Sequence, residues 1–299
     1  MAGGIMRRLE SKHTPIKMRK GWKVFVDNMH FKNFPRQTIE NFVLSGHSPE
    51  NCIELKSSLT SRVWKFKTNK RWYVIKMYLK RGALDSLKAF FAGSRARRAC
   101  LNGEELIERG FNTPPMLALG EKTVAGFVTE NFLITEYLPD SMGIYSLINS
   151  QFSLPLKHED IQLKRSALRN FGRYIGALHA KGFVHGDLRL DNIIVTELNS
   201  DKVKFHLIDN ERNKFFHGDI PERLRLKNLV QVNMIVLPQI TFTDRLRFFK
   251  AYLEKNPELK SVSRYWIRRV FLKTKKRLQK IIPDIWQENN AKNQDPAYH

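Results

Sequence analysis

The sequence predicts an α+β protein with two lobes, one rich in strands and one rich in helices. Before Pro139, apolar and polar residues alternate as they do in strands, and after it apolar residues recur at the three- and four-residue spacing of helices. The 299 residues are enough for one large domain or for two lobes with ample core. This change of pattern indicates two lobes with a cleft.

The chain divides into four parts on this reading. Residues 1–45 are basic and only weakly patterned, so they are assigned to an N-terminal extension. Residues 46–139 form the predicted N-lobe, which combines strands with one helix, and residues 140–255 form the predicted C-lobe. Residues 256–299 are assigned to a basic C-terminal helix and tail.

Three segments define the N-lobe. Residues 52–79 alternate in hydrophobicity, which predicts a β-hairpin or meander. Residues 94–109 have a helical composition, and Gly110 ends the predicted helix. Residues 127–138 then predict another pair of strands.

A long helix followed by a hairpin defines the C-lobe. Apolar residues recur at helical spacing over residues 160–181, which predicts an amphipathic helix that is buried on one face. Two short apolar runs, residues 193–195 and 203–208, predict a hairpin. Beyond them, residues 246–253 again have the spacing of a helix.

The charge and the cysteine content of the chain favour some classes of protein and exclude others. The chain has 52 Lys and Arg against 29 Asp and Glu, a net charge of +23, which predicts a polyanionic partner. A hydrophobic content of 42% excludes intrinsic disorder. With 2 cysteines, a disulfide-rich secreted scaffold and a four-thiolate metal site are excluded.

Because no apolar stretch suits a signal peptide or a spanning helix, we expect a soluble or peripherally bound protein of the cytoplasm.

Residues 178–195 carry the clearest chemical signal, because they leave a predicted helix and enter a strand. Asp187 is followed five residues later by Asn192, and the hairpin leads on to Asp209. One carboxylate can accept the proton of an attacking hydroxyl, while an amide and a second carboxylate can bind Mg²⁺. The pattern predicts Asp187 as the catalytic base and Asn192 and Asp209 as metal ligands.

Lys76 completes this set, because an ammonium fixed on a strand can clamp the α- and β-phosphates of ATP. Taken alone, a strand lysine is usually solvated, and an Asp with an Asn five residues on is common by chance. Taken together, the strand lysine, helix, strand pair, amphipathic helix, loop Asp and Asn, hairpin and Asp follow the order of a protein-kinase-like core. The sequence thus predicts a bilobal protein-kinase-like fold with a β-rich N-lobe and a helical C-lobe, and a kinase.

These motifs resemble those of the bacterial lipopolysaccharide core kinases, the Kdo/WaaP-type family. The resemblance spans roughly residues 50–255 and rests on His185 to Asn192 and on Ile208-Asp209. Ser94 to Arg98, Gly110 to Pro115 and Thr243 to Leu253 are similar as well. The resemblance implies Mg-ATP as the donor. It also implies a sugar hydroxyl of the anionic lipopolysaccharide inner core, on heptose or Kdo, as the acceptor.

The phosphate-covering loop departs from the usual kinase pattern. Residues 54–62 contain no Gly-x-Gly-x-x-Gly, so we expect Ser57, Ser58, Thr60 and neighbouring backbone to cover the phosphates. Glu136 is assigned to the nucleotide site as well.

Two further departures concern Lys76 and Asp209. The glutamate that pairs with the lysine could be Glu104 or Glu105, and the sequence leaves both open. Asp209 is followed by Asn-Glu instead of Phe-Gly, so the glycine that permits in/out switching of this segment is missing. We therefore expect constitutive activity.

The catalytic loop also differs from that of regulated protein kinases. Gly186 stands where an arginine often docks a phosphorylated loop, which favours a small-molecule kinase. Arg189 is assigned a catalytic role in neutralising charge at the γ-phosphate, with a solvent-facing arginine as the alternative. His179 and His185 are expected to hold the loop by hydrogen bonds.

Residues 255–280 predict a cationic helix. Their basic residues are Lys255, Lys260, Arg264, Arg268, Arg269, Lys273, Lys275, Lys276, Arg277 and Lys280, against the single acid Glu258. Interleaved aromatic residues are typical of a helix at an anionic membrane surface, so we expect the enzyme at the inner face of the cytoplasmic membrane. A helix that packs its aromatics on the C-lobe is an equal alternative. A second basic cluster spans residues 80–98.

The sequence is also compatible with other functions. A Ser/Thr or Tyr protein kinase of the atypical bacterial type would use the same residues on a protein acceptor. A non-catalytic, basic kinase-fold binding protein is disfavoured because Lys76, Asp187, Asn192 and Asp209 are all intact. The net positive charge is the one observation that favours nucleic-acid binding, so no specific nucleic-acid partner is expected.

Overall fold

The chain forms an N-terminal unit of Met1–Ser141 with His206–Asn213, and a C-terminal unit of Met142–Phe205 with Lys214–His299. The computed structural model describes residues 9–45, 52–68, 70–79, 92–152, 154–197 and 203–281. Most of the predicted basic cluster of residues 80–98 and the end of the C-terminal tail lie outside these residues. The segment that carries Asp209 belongs to the N-terminal unit, although it follows the catalytic loop in sequence.

A seven-stranded sheet forms the N-terminal unit, in the order β1-β2-β6-β7-β5-β4-β3, and every neighbouring pair is antiparallel. The strands are β1 (His13–Lys17), β2 (Trp22–Asp27), β3 (Cys52–Ser58), β4 (Ser61–Thr68), β5 (Arg71–Tyr78), β6 (Met116–Val124) and β7 (Phe127–Glu136). Strands β3 to β5 confirm the meander predicted for residues 52–79.

Two features of the sheet differ from the prediction. β1 and β2 lie within residues 1–45, which the sequence pattern assigned to an extension. The expected strand pair in residues 127–138 is wrong, because this stretch forms the single strand β7 and pairs with β6. The turn between them, Ala125-Gly126, has positive φ at both residues, which suits the twist of a two-residue hairpin.

The N-terminal unit also contains the helices α1 (Arg36–Ser45) and α2 (Arg95–Glu108). The side chain of Ser94 caps α2 by accepting a hydrogen bond from Arg97 N, and Gly110 follows the helix with φ 81°. The helix predicted for residues 94–109 is thereby confirmed. Its buried residues join an apolar cluster with the sheet that includes Leu9, Phe25, Ala96, Cys100 and Leu119.

Helices dominate the C-terminal unit. They are α3 (Ile144–Gln151), α4 (His158–Ala180), α5 (Glu222–Asn233), α6 (Phe242–Leu253) and α7 (Ser263–Ile281). The short strands are β8 (Met142–Gly143), β9 (Phe183–Val184), β10 (Ile193–Thr196), β11 (Lys204–Leu207) and β12 (Lys214–Phe215). They form a sheet in the order β11-β10-β8 and a separate β12-β9 pair.

Helix α4, which the sequence predicts over residues 160–181, packs closely on α6. A Cβ at Gly172 would lie 2.3 Å from the Phe248 oxygen, and one at Gly176 would lie 2.7 Å from the Tyr252 oxygen. These glycines allow the two backbones to approach each other. The close packing fixes the end of α4, from which the catalytic loop begins.

The cationic C-terminal helix is shorter than predicted. Residues 257–259 form a 3-10 turn, and α7 begins only at Ser263. Among the helices that the structure describes, we find none with the length and apolar character needed to cross a bilayer.

Candidate active site

Lys76 lies on β5, opposite Val63 of β4 and Leu133 of β7. Its ammonium forms an ion pair with Asp209 and lies 3.8 Å from Oε2 of Glu211. The structure thus brings together Lys76 and Asp209, whose predicted functions are to bind phosphate and metal. Both belong to the N-terminal unit.

Sequence reasoning missed the functional importance of Glu211. This carboxylate is buried, and its Oε1 accepts hydrogen bonds from Arg95 Nε at 3.0 Å and Nη2 at 2.7 Å. A buried carboxylate needs charged or hydrogen-bonding partners to offset its loss of hydration, and here two cations supply them. Glu211 therefore links Lys76 on β5 to Arg95 on α2. The sequence signal that could have identified it is an acidic residue two positions after Asp209, the predicted metal ligand.

The two glutamates considered as partners of Lys76 have other contacts. Glu105 forms an ion pair of 2.7 Å with the arginine four residues further along. Glu104 lies 3.5 Å from His13 on β1. The carboxylate beside Lys76, in addition to that of Asp209, comes from Glu211 instead.

Several hydrogen bonds hold the segment that contains Asp209. Asp209 has φ 65° and ψ 44°, a left-handed conformation that Asp adopts more readily than most residues. Asn102 Nδ2 donates to the Asn210 oxygen at 2.6 Å, and Arg98 Nε donates to the Glu211 oxygen at 3.2 Å. These bonds attach the segment to α2. They favour a fixed segment, and constitutive activity stays a prediction.

The turn between β3 and β4 contains the residues expected to cover the phosphates. Ser58 Oγ accepts hydrogen bonds from the backbone nitrogens of Thr60, at 3.3 Å, and Ser61, at 3.1 Å, so a serine hydroxyl closes the turn. The Thr60 oxygen accepts a 2.7 Å bond from Arg95, which connects the turn to Glu211. Ser57 is exposed at the end of β3. Phosphate binding by Ser57, Ser58 and Thr60 stays a prediction.

Glu136 ends β7, and its carboxylate lies near Arg71 and His30 of its own unit. Its Oε1 lies 3.8 Å from Arg71 Nη1 and 4.0 Å from His30 Nε2. Its backbone nitrogen donates to the Pro115 oxygen at 2.9 Å. These contacts hold Glu136 at the end of β7. Its assignment to the nucleotide site stays a prediction.

In the C-terminal unit, the loop after β9 brings three predicted residues together. Asp187 Oδ1 accepts a 2.7 Å hydrogen bond from Gln231 Nε2, and Oδ2 accepts one of 3.1 Å from Arg189 Nε. Asn192 Nδ2 donates to the Asp187 backbone oxygen at 2.8 Å. Because its nitrogen is used in this way, the Oδ1 oxygen of Asn192 is the atom suited to bind a cation.

Helix α5 holds the loop through two buried amides that sequence reasoning missed. Asn228 accepts from His185 N at 3.1 Å and donates to His185 O at 2.8 Å. Gln231 accepts from Leu188 N at 3.2 Å in addition to its bond with Asp187. The sequence signal that could have identified these two residues is a pair of amides three residues apart on a helix. Buried amides need hydrogen-bond partners, so such a pair indicates contacts with a neighbouring segment. They position the backbone and the carboxylate of the catalytic loop.

His179, in the last turn of α4, and His185, in the loop, both form hydrogen bonds, as the sequence predicts. His179 is buried, with Nδ1 2.9 Å from Tyr252 Oη and Nε2 3.3 Å from Asn228 Oδ1. Burial, helped by the charge of Arg225, lowers the pKa of His179 to about 3. His185 Nδ1 accepts a hydrogen bond of 3.1 Å from Asp187 N. His179 is therefore neutral at physiological pH and acts as a structural support.

The sequence matches a known protein family. The model of the lipopolysaccharide kinase (Kdo/WaaP) family matches residues 54–252, which is more than half of the chain and includes Lys76, Asp187, Asn192 and Asp209. The chain belongs to this family. It is a kinase, and membership implies ATP as its phosphoryl donor and lipopolysaccharide as its substrate class.

This lipopolysaccharide kinase family member is similar in structure to solved proteins. The structure of WaaP in complex with acyl carrier protein aligns over 75% of this chain and 87% of that chain, with a TM-score of 0.56 and 20% identity. The crystal structure of WbdD aligns over 76% of this chain and 51% of that chain, with a TM-score of 0.45 and 18% identity. A comparison with curated proteins found no match. The alignment with WaaP confirms the protein-kinase-like fold.

We expect Glu211→Gln to weaken ATP binding. The substitution keeps the size of the side chain but removes the charge beside Lys76 and Arg95, so Arg95 loses the carboxylate that it binds and Lys76 keeps that of Asp209. The expected change is a rise of about tenfold in the Kd for ATP, measured by isothermal titration calorimetry.

Glu105→Gln is the matched control, because it makes the same chemical change at the ion pair with Arg109. Its Kd for ATP should equal that of the wild type. An unchanged Kd in Glu211→Gln would contradict the assignment of Glu211 to the phosphate-binding network.

Proposed function

We propose that the protein uses Mg-ATP to phosphorylate a hydroxyl of heptose or Kdo in the lipopolysaccharide inner core. The observation that carries the proposal is the hydrogen bonding of Asp187. Gln231 and Arg189 each occupy one of its carboxylate oxygens, and the side chain is about one-third exposed. A carboxylate that is oriented in this way and still reachable from solvent is suited to receive the proton of an acceptor hydroxyl.

Each residue has a defined part in this mechanism. Asp187 orients the acceptor hydroxyl and takes its proton as the oxygen attacks the γ-phosphorus. Lys76 holds the α- and β-phosphates, and Arg189 neutralises charge that develops as the phosphoryl group leaves ADP.

Oxygen donors that suit Mg²⁺ are present in each unit. Asp209 provides a carboxylate, and Asn192 provides the amide oxygen left by its hydrogen bond to Asp187. Both are hard ligands of the kind that Mg²⁺ prefers. When bound, Mg²⁺ would supply positive charge at the phosphate oxygens, and these two residues would hold it.

A basic groove next to α5 supports an anionic acceptor. It has a volume of about 480 Å³ and lies between α5 and α7. Its lining is Arg223, Leu224, Leu226, Lys227, Val230, Lys273, Lys276, Arg277 and Lys280. Every charged residue of this lining is basic. One of them, Lys227, also donates a 2.5 Å hydrogen bond to the Gly186 oxygen of the catalytic loop. The groove thus places cations suited to an anionic glycolipid beside the loop that carries Asp187.

Helix α7 supports a location at an anionic membrane surface, which we include in the proposal. Its residues Trp266 and Leu278 are buried, whereas Tyr265, Phe271 and Leu272 are 52%, 50% and 50% exposed. The exposed basic residues of the same helix include Arg264, Arg268 and Lys275. The helix can therefore pack on its unit and still present apolar and cationic side chains to the interface. We place the enzyme at the inner face of the cytoplasmic membrane.

Asp187→Asn should lower kcat by roughly 10²- to 10⁴-fold, because the hydroxyl proton loses its acceptor. Binding of Mg-ATP, measured as the rise in thermal unfolding temperature, should persist in this variant. Asp209→Asn should lose that rise, because a metal-binding carboxylate is removed. Asp191→Asn, which makes the same change at an exposed position of the same loop, should behave as the wild type. Near-normal turnover in Asp187→Asn would refute the catalytic assignment.

Incubation with labelled ATP and a set of purified acceptors tests the substrate. We expect label on inner-core lipopolysaccharide and none on a generic protein or on aminoglycosides. Lipid A that carries Kdo alone, compared with lipid A that carries Kdo and heptose, identifies the sugar, because label on the first requires Kdo as acceptor. Label on protein side chains with the glycolipid unlabelled would instead identify a protein kinase.

Replacement of Arg264, Arg268 and Lys275 with Gln should release the protein from vesicles that contain phosphatidylglycerol. Each basic residue near an anionic surface contributes about 1 kcal/mol to binding, so the loss should be visible in a sedimentation assay. The control replaces Arg165, Arg169 and Lys204, which are exposed on other elements of the same unit, and removes the same charge. Equal release by both triple variants would show that net charge alone, without α7, accounts for binding.

A further inference from the structure

Three side chains of types that bind metals meet in the core of the N-terminal unit. His13 lies on β1, and Cys100 and Glu104 lie one helical turn apart on α2. They are 2%, 1% and 7% exposed. One potential ligand atom from each lies within 4.8 Å of the others. None of the three has a part in the proposed phosphoryl transfer.

The distances among these atoms fit one metal ion. Cys100 Sγ is 3.7 Å from His13 Nε2 and 3.6 Å from Glu104 Oε1, and His13 Nε2 is 3.5 Å from Glu104 Oε1. In a tetrahedral Zn²⁺ site, bonds of about 2.3 Å to sulfur and about 2.0–2.2 Å to nitrogen and oxygen separate neighbouring ligand atoms by about 3.4–3.6 Å. The observed triangle differs from this by a few tenths of an ångström at most.

The orientation of His13 also suits a ligand. Its Nδ1 lies 3.1 Å from the backbone oxygen of Leu9, which can only accept a hydrogen bond. With the proton on Nδ1, the lone pair of Nε2 faces Cys100 and Glu104. A backbone carbonyl that fixes the ring in this way is the usual outer partner of a metal-bound histidine.

The surroundings and the charge are consistent with a closed, neutral site. The apolar residues packed around Cys100 include Leu9, Phe25, Ala96 and Leu119. One thiolate and one carboxylate balance the charge of a divalent cation, and the other oxygen of Glu104, Oε2, lies 3.7 Å from the partly exposed ammonium of Lys12. A thiolate with an imidazole selects Zn²⁺ over Mg²⁺, which prefers oxygen ligands.

The geometry points to a Zn²⁺ site formed by His13 Nε2, Cys100 Sγ and Glu104 Oε1, with a fourth position for water. On binding, the Cys100 thiol releases its proton to solvent, and its sulfur bonds to the metal as a thiolate. The site would tie β1 to α2, the helix that carries Arg95. Its effect is on the stability of the N-terminal unit.

Cobalt provides the direct test, because tetrahedral Co²⁺ bound by a thiolate absorbs strongly in the near ultraviolet. The full-length protein is stripped with a chelator and titrated with Co²⁺ in excess Mg²⁺, which occupies oxygen-ligand sites. We expect one Co²⁺ per chain, a thiolate charge-transfer band, and loss of the band when Zn²⁺ is added. Cys100→Ser should lack the band and Cys52→Ser should keep it, which is a matched comparison because the chain has 2 cysteines.

A second measurement needs no variant and applies if Cys100→Ser does not fold. X-ray absorption of the wild-type protein with one equivalent of Zn²⁺ should show one sulfur at about 2.3 Å together with nitrogen or oxygen ligands at about 2.0–2.1 Å. Zinc bound without sulfur, or a cobalt band that survives in Cys100→Ser and is lost in Cys52→Ser, would overturn the proposal. So would the absence of a thiolate band in the wild type. Kinase activity toward any acceptor has no bearing on these outcomes.

Discussion

The buried carboxylate of Glu211 is the constraint on which the N-terminal unit depends. It lies between Lys76 on β5 and Arg95 on α2, and it follows Asp209 by two residues. In protein kinases the strand lysine pairs with a glutamate on the helix, so helix position controls the lysine. Here the helix contributes the cation and the segment after Asp209 contributes the carboxylate. Removing Arg95 would take from the buried Glu211 carboxylate two hydrogen bonds that offset its loss of hydration, which is destabilising.

The C-terminal unit holds its catalytic loop in a different way, through hydrogen bonds from neutral amides, to which Lys227 adds one to the Gly186 oxygen. Asn228 and Gln231 bind the loop backbone and Asp187, and His179 stays uncharged because burial lowers its pKa to about 3. None of these groups changes charge near neutral pH. The position of Asp187 therefore depends on packing and amide geometry, and Arg189 is the ionic contact of its carboxylate.

The sequence was most informative where chemistry restricts residue type. The order of Lys76, Asp187, Asn192 and Asp209 predicted the protein-kinase-like fold, because these groups have phosphate-binding, proton-accepting and metal-binding chemistry and follow the order of that fold along the chain. It was less informative about contacts between distant segments. The consecutive buried residues Val24, Phe25 and Val26 of β2 do not alternate, so the strand gave no period-two signal. The partner of Lys76 depends on how α2 is rotated against the sheet, which spacing along the chain does not determine.

The N-terminal unit is discontinuous in sequence, because it includes His206–Asn213. During synthesis, Lys76 and Arg95 leave the ribosome long before Asp209 and Glu211 exist. The unit cannot complete its charge network until the chain has passed Asn213, by which point the long helix α4 and the catalytic loop have already been made. Co-translational folding in strict domain order is thus not open to this protein. A fragment that ends at Ser141 would contain Lys76 and Arg95, which are partly buried in the complete protein, without the carboxylates of Asp209 and Glu211.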